Sequence, residues 1–148
     1  TQMTSENWTG DIAAGDFTGD GKTDVAGIFD GGLWYQDGAT LAWTKIDDSP
    51  PYSVTAGDVT GDGRDEIIGT WDEGIWYWDF VESKWTHMTS ETTTGDIAAG
   101  DFTGDGKADV ASCWKDYGLW YQDGATLDWK NVSNSAPDRL TAGDITEK

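Results

Sequence analysis

Gly10–Val25 reads GDIAAGDFTGDGKTDV, and the segment returns almost letter for letter at Gly95–Val110 as GDIAAGDFTGDGKADV. Between them lies a diverged copy, TAGDVTGDGRDEIIGTW at Thr55–Trp71. Each copy is followed by a second shared element: GLWYQDGATLAW at Gly32–Trp43, GIWYWDF at Gly74–Phe80 and GLWYQDGATLDW at Gly118–Trp129. The leading aspartates fall at Asp16, Asp58, Asp101 and Asp144, so the repeating unit is 42 or 43 residues long. A period of this length marks a supersecondary unit that buries its apolar surface by stacking on its neighbours. The first and third units are near-duplicates, which points to duplication of a two-unit block. The one-residue slip that carries Trp34 to Trp120 falls where Asp30-Gly31-Gly32 faces Lys115-Asp116-Tyr117-Gly118. That is a turn, where an insertion is tolerated.

Within the unit, Ile12-Ala13-Ala14-Gly15 predicts a first strand, and the acidic loop leads into a second at Val25–Phe29. A tight Gly-containing turn gives the hairpin signal before a third strand at Leu33–Gln36, closed by Asp37-Gly38. A fourth strand is predicted at Leu41–Ile46, and a polar connector follows. No segment holds an apolar period of 3.6 with caps, so no helix is expected. Four antiparallel strands in a unit of this length predict an all-β chain, a β-propeller-type array of four-stranded blades. About three blades fit one repeat domain spanning 1–148: 10–52, 53–94 and 95–139, with 140–148 as the first strand of an incomplete further blade.

The small Ala-Ala-Gly residues suit innermost strands that crowd an axis. Trp34, Trp76 and Trp120 recur on strand three, Trp43, Trp85 and Trp129 on strand four, and Phe29, Trp71 and Trp114 on strand two. Their recurrence predicts packing between blades in preference to ligand contact. Trp78 replaces Gln36 and Gln122, and Trp8 replaces Thr93, so these two tryptophans break the pattern and are candidates for exposure. Thr1–Ile12 aligns with Thr86–Ile97, and the chain stops at TAGDITEK, a first strand without its loop. Three blades do not close a ring of typically four to eight, and unpaired strand edges invite association. The expectation is a homo-oligomer that completes the ring.

The 148 residues carry a net charge of −19, 20 Gly and 10 Trp. Such charge argues against binding nucleic acid or an anionic membrane, while the abundance of aromatics argues against disorder. The single cysteine, Cys113, cannot make an intramolecular disulfide and reads as a small buried apolar side chain. No signal peptide, membrane-spanning run or lipidation motif is visible.

The chemistry lies in three loops. They place Asp16, Thr18, Asp20, Lys22 and Asp24 at positions 1, 3, 5, 7 and 9 of the first; Asp58, Thr60, Asp62, Arg64 and Glu66 in the second; and Asp101, Thr103, Asp105, Lys107 and Asp109 in the third. Side-chain oxygens at 1, 3, 5 and 9 and a backbone carbonyl at 7 would wrap one ion, with Gly at position 6 permitting the sharp turn. Calcium (Ca2+) accepts six to eight oxygens in forgiving geometry. Magnesium demands a tighter octahedron, and zinc favours Cys or His, of which there is one each. Asp and Gly also make good turns without any metal, but three in-phase loops with acids at 1, 5 and 9 exceed what turn propensity explains. Glu66 marks the middle loop as the one expected to differ. Asp144-Ile145-Thr146-Glu147-Lys148 keeps only the start of a loop, so no complete site is expected there.

The stretches AAGDFTGDGKTDVAGIF, TAGDVTGDGRDEIIGTW and AAGDFTGDGKADVASCW resemble the FG-GAP/VCBS repeat family, the calcium-loop blades of integrin α-subunits, bacterial surface proteins and some fungal lectins. The resemblance covers nearly the whole chain. It implies a propeller, structural calcium in the first hairpin of each blade, and an extracellular or cell-surface setting; the blades are too few to close a ring.

The leading functional expectation is a non-catalytic, calcium-stabilised binding module for a carbohydrate or protein ligand. Trp78, Trp8, Asp79, Gln36 and Gln122 would supply an aromatic and amide surface for it, unless they are packed or merely solvated. A glycoside-acting enzyme is the rival, since two carboxylates suffice for that chemistry. His87 is the only histidine, however, and Gln2 is its counterpart, so a supported Ser-His-Asp base is missing. A third reading is a repeat scaffold whose only ligand is calcium.

Overall fold

The computed structural model describes residues 10–92 and 95–142. Trp8, Asp144 and the strands expected at 1–9 and 143–148 lie outside them. The first unit contains β1 (Ile12–Gly15), β2 (Asp24–Phe29), β3 (Gly32–Gln36) and β4 (Trp43–Asp47). The second contains β5 (Val54–Gly57), β6 (Glu66–Trp71), β7 (Gly74–Asp79) and β8 (Lys84–Thr89). The third contains β9 (Ile97–Gly100), β10 (Asp109–Trp114), β11 (Gly118–Gln122) and β12 (Trp129–Ser133). Each unit is one four-stranded antiparallel sheet with its strands in chain order, and the described residues contain no helix. The fold is all-β.

Strand four starts at Trp43, later than the Leu41 expected from sequence. Leu41 has φ +62°, and its counterparts Ser83 and Leu127 have +51° and +63°. A left-handed residue leaves the ladder, so the strand resumes only at the tryptophan. The turn before it is held by an aspartate. Asp37 Oδ1 accepts from the Ala39 and Thr40 amides, Asp79 from Val81 and Glu82, and Asp123 from Ala125 and Thr126. Residues 140–142 form no strand, although the Leu140 amide donates to Asp96 Oδ2 at 3.1 Å.

A break in register falls between Leu33 and Trp34, between Ile75 and Trp76, and between Leu119 and Trp120. Such a bulge re-aims the side chain that follows it, here the same tryptophan in every unit. β1 lies beside β5 and β5 beside β9 without sharing a ladder. Small residues permit that approach: a Cβ on Gly57 would lie 2.7 Å from the Ala108 Cβ and 3.0 Å from that of Ala99.

The apolar core is divided between the two sheet junctions. One cluster joins Phe17, Ile28 and Leu33 of the first unit to Val54 and Ile67 of the second. The other joins Val59, Ile68 and Ile75 of the second unit to Ile97 and Val110 of the third. Each sheet thus buries a face against the next. Cys113 is also buried, and loss of solvation pushes its thiol pKa up.

Candidate functional site

Each acidic loop is built on amides that converge on two carboxylates. At position 1, Asp16 Oδ1 accepts from Gly19 and Asp20 and Oδ2 from Gly21 at 2.8 Å. Asp58 and Asp101 repeat this pattern with Gly61, Asp62 and Gly63, and with Gly104, Asp105 and Gly106. The Gly106 amide, helped by Gly104 and Asp105, holds Asp101 below the usual carboxylate range. At position 5, Asp20, Asp62 and Asp105 accept from the amides of Lys22, Arg64 and Lys107. Glycines at positions 4 and 6 have φ between +75° and +90°, the left-handed region open to glycine.

Position 9 separates the middle loop from the outer two. Asp24 is fully buried; its Oδ2 accepts from Phe17 and Thr18, and its Oδ1 from Gly38 across the unit at 2.8 Å. Asp109 repeats this with Phe102, Thr103 and Gly124. The cross-unit bond needs glycine, because a Cβ on Gly38 would sit 2.1 Å from the Thr23 carbonyl oxygen, and on Gly124 2.1 Å from that of Ala108. The middle unit has Phe80 there, and Glu66 in place of the aspartate. Glu66 Oε2 accepts from the Val59 and Thr60 amides, while Oε1 accepts from the Thr60 hydroxyl at 3.3 Å.

The result is the one cluster among the described residues in which three acids converge. Asp58, Asp62 and Glu66 each offer an oxygen within 4.8 Å of the others. Burial, and then the charges of Asp58 and Asp62, push Glu66 up to about 7 against the opposing Thr60 and Val59 amide bonds. A buried carboxylate facing the charges of a half-buried and an exposed one is a donor set suited to a hard divalent cation. In the first loop the Thr18 hydroxyl is buried without a partner, a free oxygen at position 3. In both outer loops the position-9 aspartate instead spends its two oxygens on three amides.

The loops also latch to one another. The Asp65 amide donates to the Asp16 carbonyl, and the Asp16 amide donates back to Asp65 Oδ2 at 2.9 Å. The Ala108 amide donates to the Asp58 carbonyl at 2.7 Å. Arg64 lies against Gly19 and Lys107 against Gly61, so the position-7 cation of one unit covers the preceding loop.

Of the residues expected to form a ligand surface, Trp8 lies outside the described residues and the other four lie in or against the interior. Gln36 and Gln122 are each only 2 % exposed, and their amide nitrogens donate to the Leu41 and Leu127 carbonyls, inside the strand-four turn. Asp79 is buried as the cap of its own turn. Trp78 is half-buried against the first apolar cluster, edge-on to Trp85. His87 is exposed, as expected, and its ring lies 4.4 Å from that of Trp76.

The repeated tryptophans of the second and third units, expected as packing between blades, pack on one another and also line clefts where successive units meet. Trp71, Trp76 and Trp85 form one cleft of about 240 Å³ with Asp47, Ser49 and Glu73. Trp114, Trp120 and Trp129 form its homologue, about 500 Å³, with Glu91, Thr92 and Tyr117. The anchoring repeats as well: Trp71 Nε1 donates to the Ser49 carbonyl and Trp114 Nε1 to the Thr92 carbonyl, in both cases on the connector from the previous unit. Tyr117, 72 % exposed, is the inserted residue of the third unit and walls the larger cleft. The sequence signal was the conjunction of that insertion with an aromatic triplet present in all units, Phe29, Trp34 and Trp43 in the first and three tryptophans in each of the others. No protein-family model matches the chain, and no curated protein is significantly similar to it.

Proposed function

We propose that the chain is a calcium-stabilised, non-catalytic binding module of propeller type whose ligand, a carbohydrate, is taken up in the tryptophan clefts between units. The observation that carries this reading is the recurrence of the same three-tryptophan cleft at both unit junctions. Concave, largely aromatic sites with a few convergent polar groups are the usual form of small-ligand sites. Flat indole faces suit the C–H faces of sugar rings, and Asp47, Glu73 and Glu91 offer acceptors for hydroxyls.

Calcium is assigned to the acidic loops, the Asp58–Asp62–Glu66 loop first. There it supplies charge compensation and stiffening of the hairpin; the chain's own carboxylates and Thr60 orient around it. The propeller reading is supported by the three first strands lying side by side, with residues 139–142 alongside them around a cavity of about 360 Å³. Completion of the ring by further copies of the chain is supported by Phe102, which is 43 % exposed where its homologue Phe17 is buried under the next unit. An extracellular setting goes with the calcium loops.

A glycan array probed with the intact chain in calcium and in excess chelator tests the proposal. Retention of a sugar in calcium, weakened by chelator and by Trp120→Ala, is expected. Binding that survives Trp76→Ala and Trp120→Ala together would remove the clefts from the reading, and equal thermal stability with and without calcium would remove the ion.

A further inference from the structure

We infer that the larger cleft, around Trp120, is a cage for an alkylated ammonium, so the ligand of this cleft carries a cationic trimethylammonium-type group. The inference rests on the reading of the clefts as binding sites and names the chemistry of one of them. Trp34, Trp76 and Trp120 are homologous, and each has a cross-strand neighbour on the fourth strand: Lys45, His87 and Asn131. In the first unit the Lys45 ammonium lies 5.3 Å from the centre of the Trp34 ring and pairs with Asp48. In the second, the imidazole of His87 lies 4.4 Å from Trp76. In the third, the neighbour is the neutral, exposed Asn131. The chain thus fills the cation place on the indole face itself in the first unit, sets an imidazole there in the second, and offers no cation in the third.

The surroundings of Trp120 complete the chemistry. Three indoles and the Tyr117 ring line the cleft, and aromatic rings of this kind, Trp above all, attract cations through the negative quadrupole of their faces, poorly hydrated alkylated ammonium groups included. Glu91 puts a carboxylate on the rim. Lys130, the ammonium next along the strand, is turned to the other face, 5.7 Å from the Tyr121 ring and 3.8 Å from Asp123. A chain of net charge −19 also raises the local concentration of cations.

The test is calorimetric titration of the full chain with three probes: choline, its neutral carbon isostere with a tert-butyl group in place of the trimethylammonium, and a panel of neutral methyl pyranosides. Choline is expected to bind on the order of tenfold more tightly than the isostere, the contribution of the charge alone. Asn131→Lys, an exposed substitution that restores the arrangement of the first unit, is expected to abolish choline binding. Equal affinity for choline and isostere, or choline affinity unchanged in Asn131→Lys, overturns the inference. Pyranoside binding that Tyr117→Ala weakens, with no choline binding, overturns it and leaves the clefts as sugar sites. Absence of binding by all three probes overturns both.

Discussion

Phe17 and Phe102 occupy the same position in nearly identical loops, yet among the described residues only the first stacks on a ring beyond its own unit. Phe17 is fully buried, stacked on Phe80 of the second unit at 5.3 Å with ring planes 9° apart, and edge-on to Tyr35. Phe102 keeps the equivalent edge contact with Tyr121 at 5.6 Å but is 43 % exposed. Phe17→Ala removes a fully buried ring and leaves a cavity, which costs about 3–5 kcal/mol. Phe102→Ala loses only the transfer term for roughly half a ring, with no sealed cavity, so about 1 kcal/mol is expected. Urea unfolding measures both. With an unchanged slope of about 1–3 kcal/mol/M, the midpoint of Phe17→Ala should fall about one molar or more below that of Phe102→Ala. Equal losses in dilute solution would refute the reasoning, because they would mean that the free face of the third sheet is covered. A Phe102→Ala cost that grows with protein concentration would identify the cover as a second copy of the chain.

The pH dependence follows from Glu66, whose carboxyl is raised from an ordinary 4.5 to about 7 in the fold. Between these values the folded state binds more protons than the unfolded chain. Without a cation, this stability is therefore complete below about pH 4.5 and lost as pH rises through about 7, at most about 3 kcal/mol. Melting of the chelated protein across that range should show the slope, and Glu66→Gln should flatten it. Calcium at about a hundred times its dissociation constant should add about 2.7 kcal/mol to the wild type and clearly less to Glu66→Gln, read as a rise in Tm; equal gains would move the ion away from the middle loop. Gly38→Ala should cost more than Gly21→Ala in the same urea assay. The first drives a Cβ to 2.1 Å from the Thr23 carbonyl, whereas the second meets open space and bears only the strain of φ +81°, about 1–2 kcal/mol.

The repeat made most of the fold legible, since a period of 42 or 43 residues with alternating turn signals fixes four strands per unit. Most boundaries differ by a single residue, as at Asp24, Gly32 and Asp47, and the two-residue slip falls where Leu41 takes a left-handed backbone that composition does not announce. The acidic loops were legible as motifs, but their inequality was not. That Asp24 and Asp109 turn to amides depends on Gly38 and Gly124, distant in sequence and close in space. Gln36 and Gln122 looked like a ligand surface because polar side chains usually face water. They are instead drawn inward by the unpaired Leu41 and Leu127 carbonyls that the left-handed turn leaves behind. The tryptophans pack on one another, as Trp71 on Trp85 and Trp114 on Trp129, but the sequence did not show that they also border a cleft. Recurrence signals packing, but a bulge before each of Trp34, Trp76 and Trp120 re-aims the ring, and at the two described junctions it lines an open cleft.

The middle unit departs from its neighbours at the positions where it must serve both of them. Phe80 replaces a glycine and gives Phe17 of the first unit a ring to stack on. At position 9 Glu66, on a longer arm, accepts from Val59 and Thr60 and converges with Asp58 and Asp62, where Asp24 and Asp109 accept from Gly38 and Gly124. Asp65, the residue before it, clasps the Asp16 backbone of the preceding loop from both sides, while the Asp58 carbonyl accepts from Ala108 of the following one. A cation held at Asp58, Asp62 and Glu66 would therefore stiffen the loop that grips the first unit through Asp65 and the third through Asp58. The substitutions that make the middle unit look degenerate beside its near-identical neighbours thus serve both junctions: Phe80 bridges to the first unit, and Glu66 completes the acidic cluster in the loop that grips both.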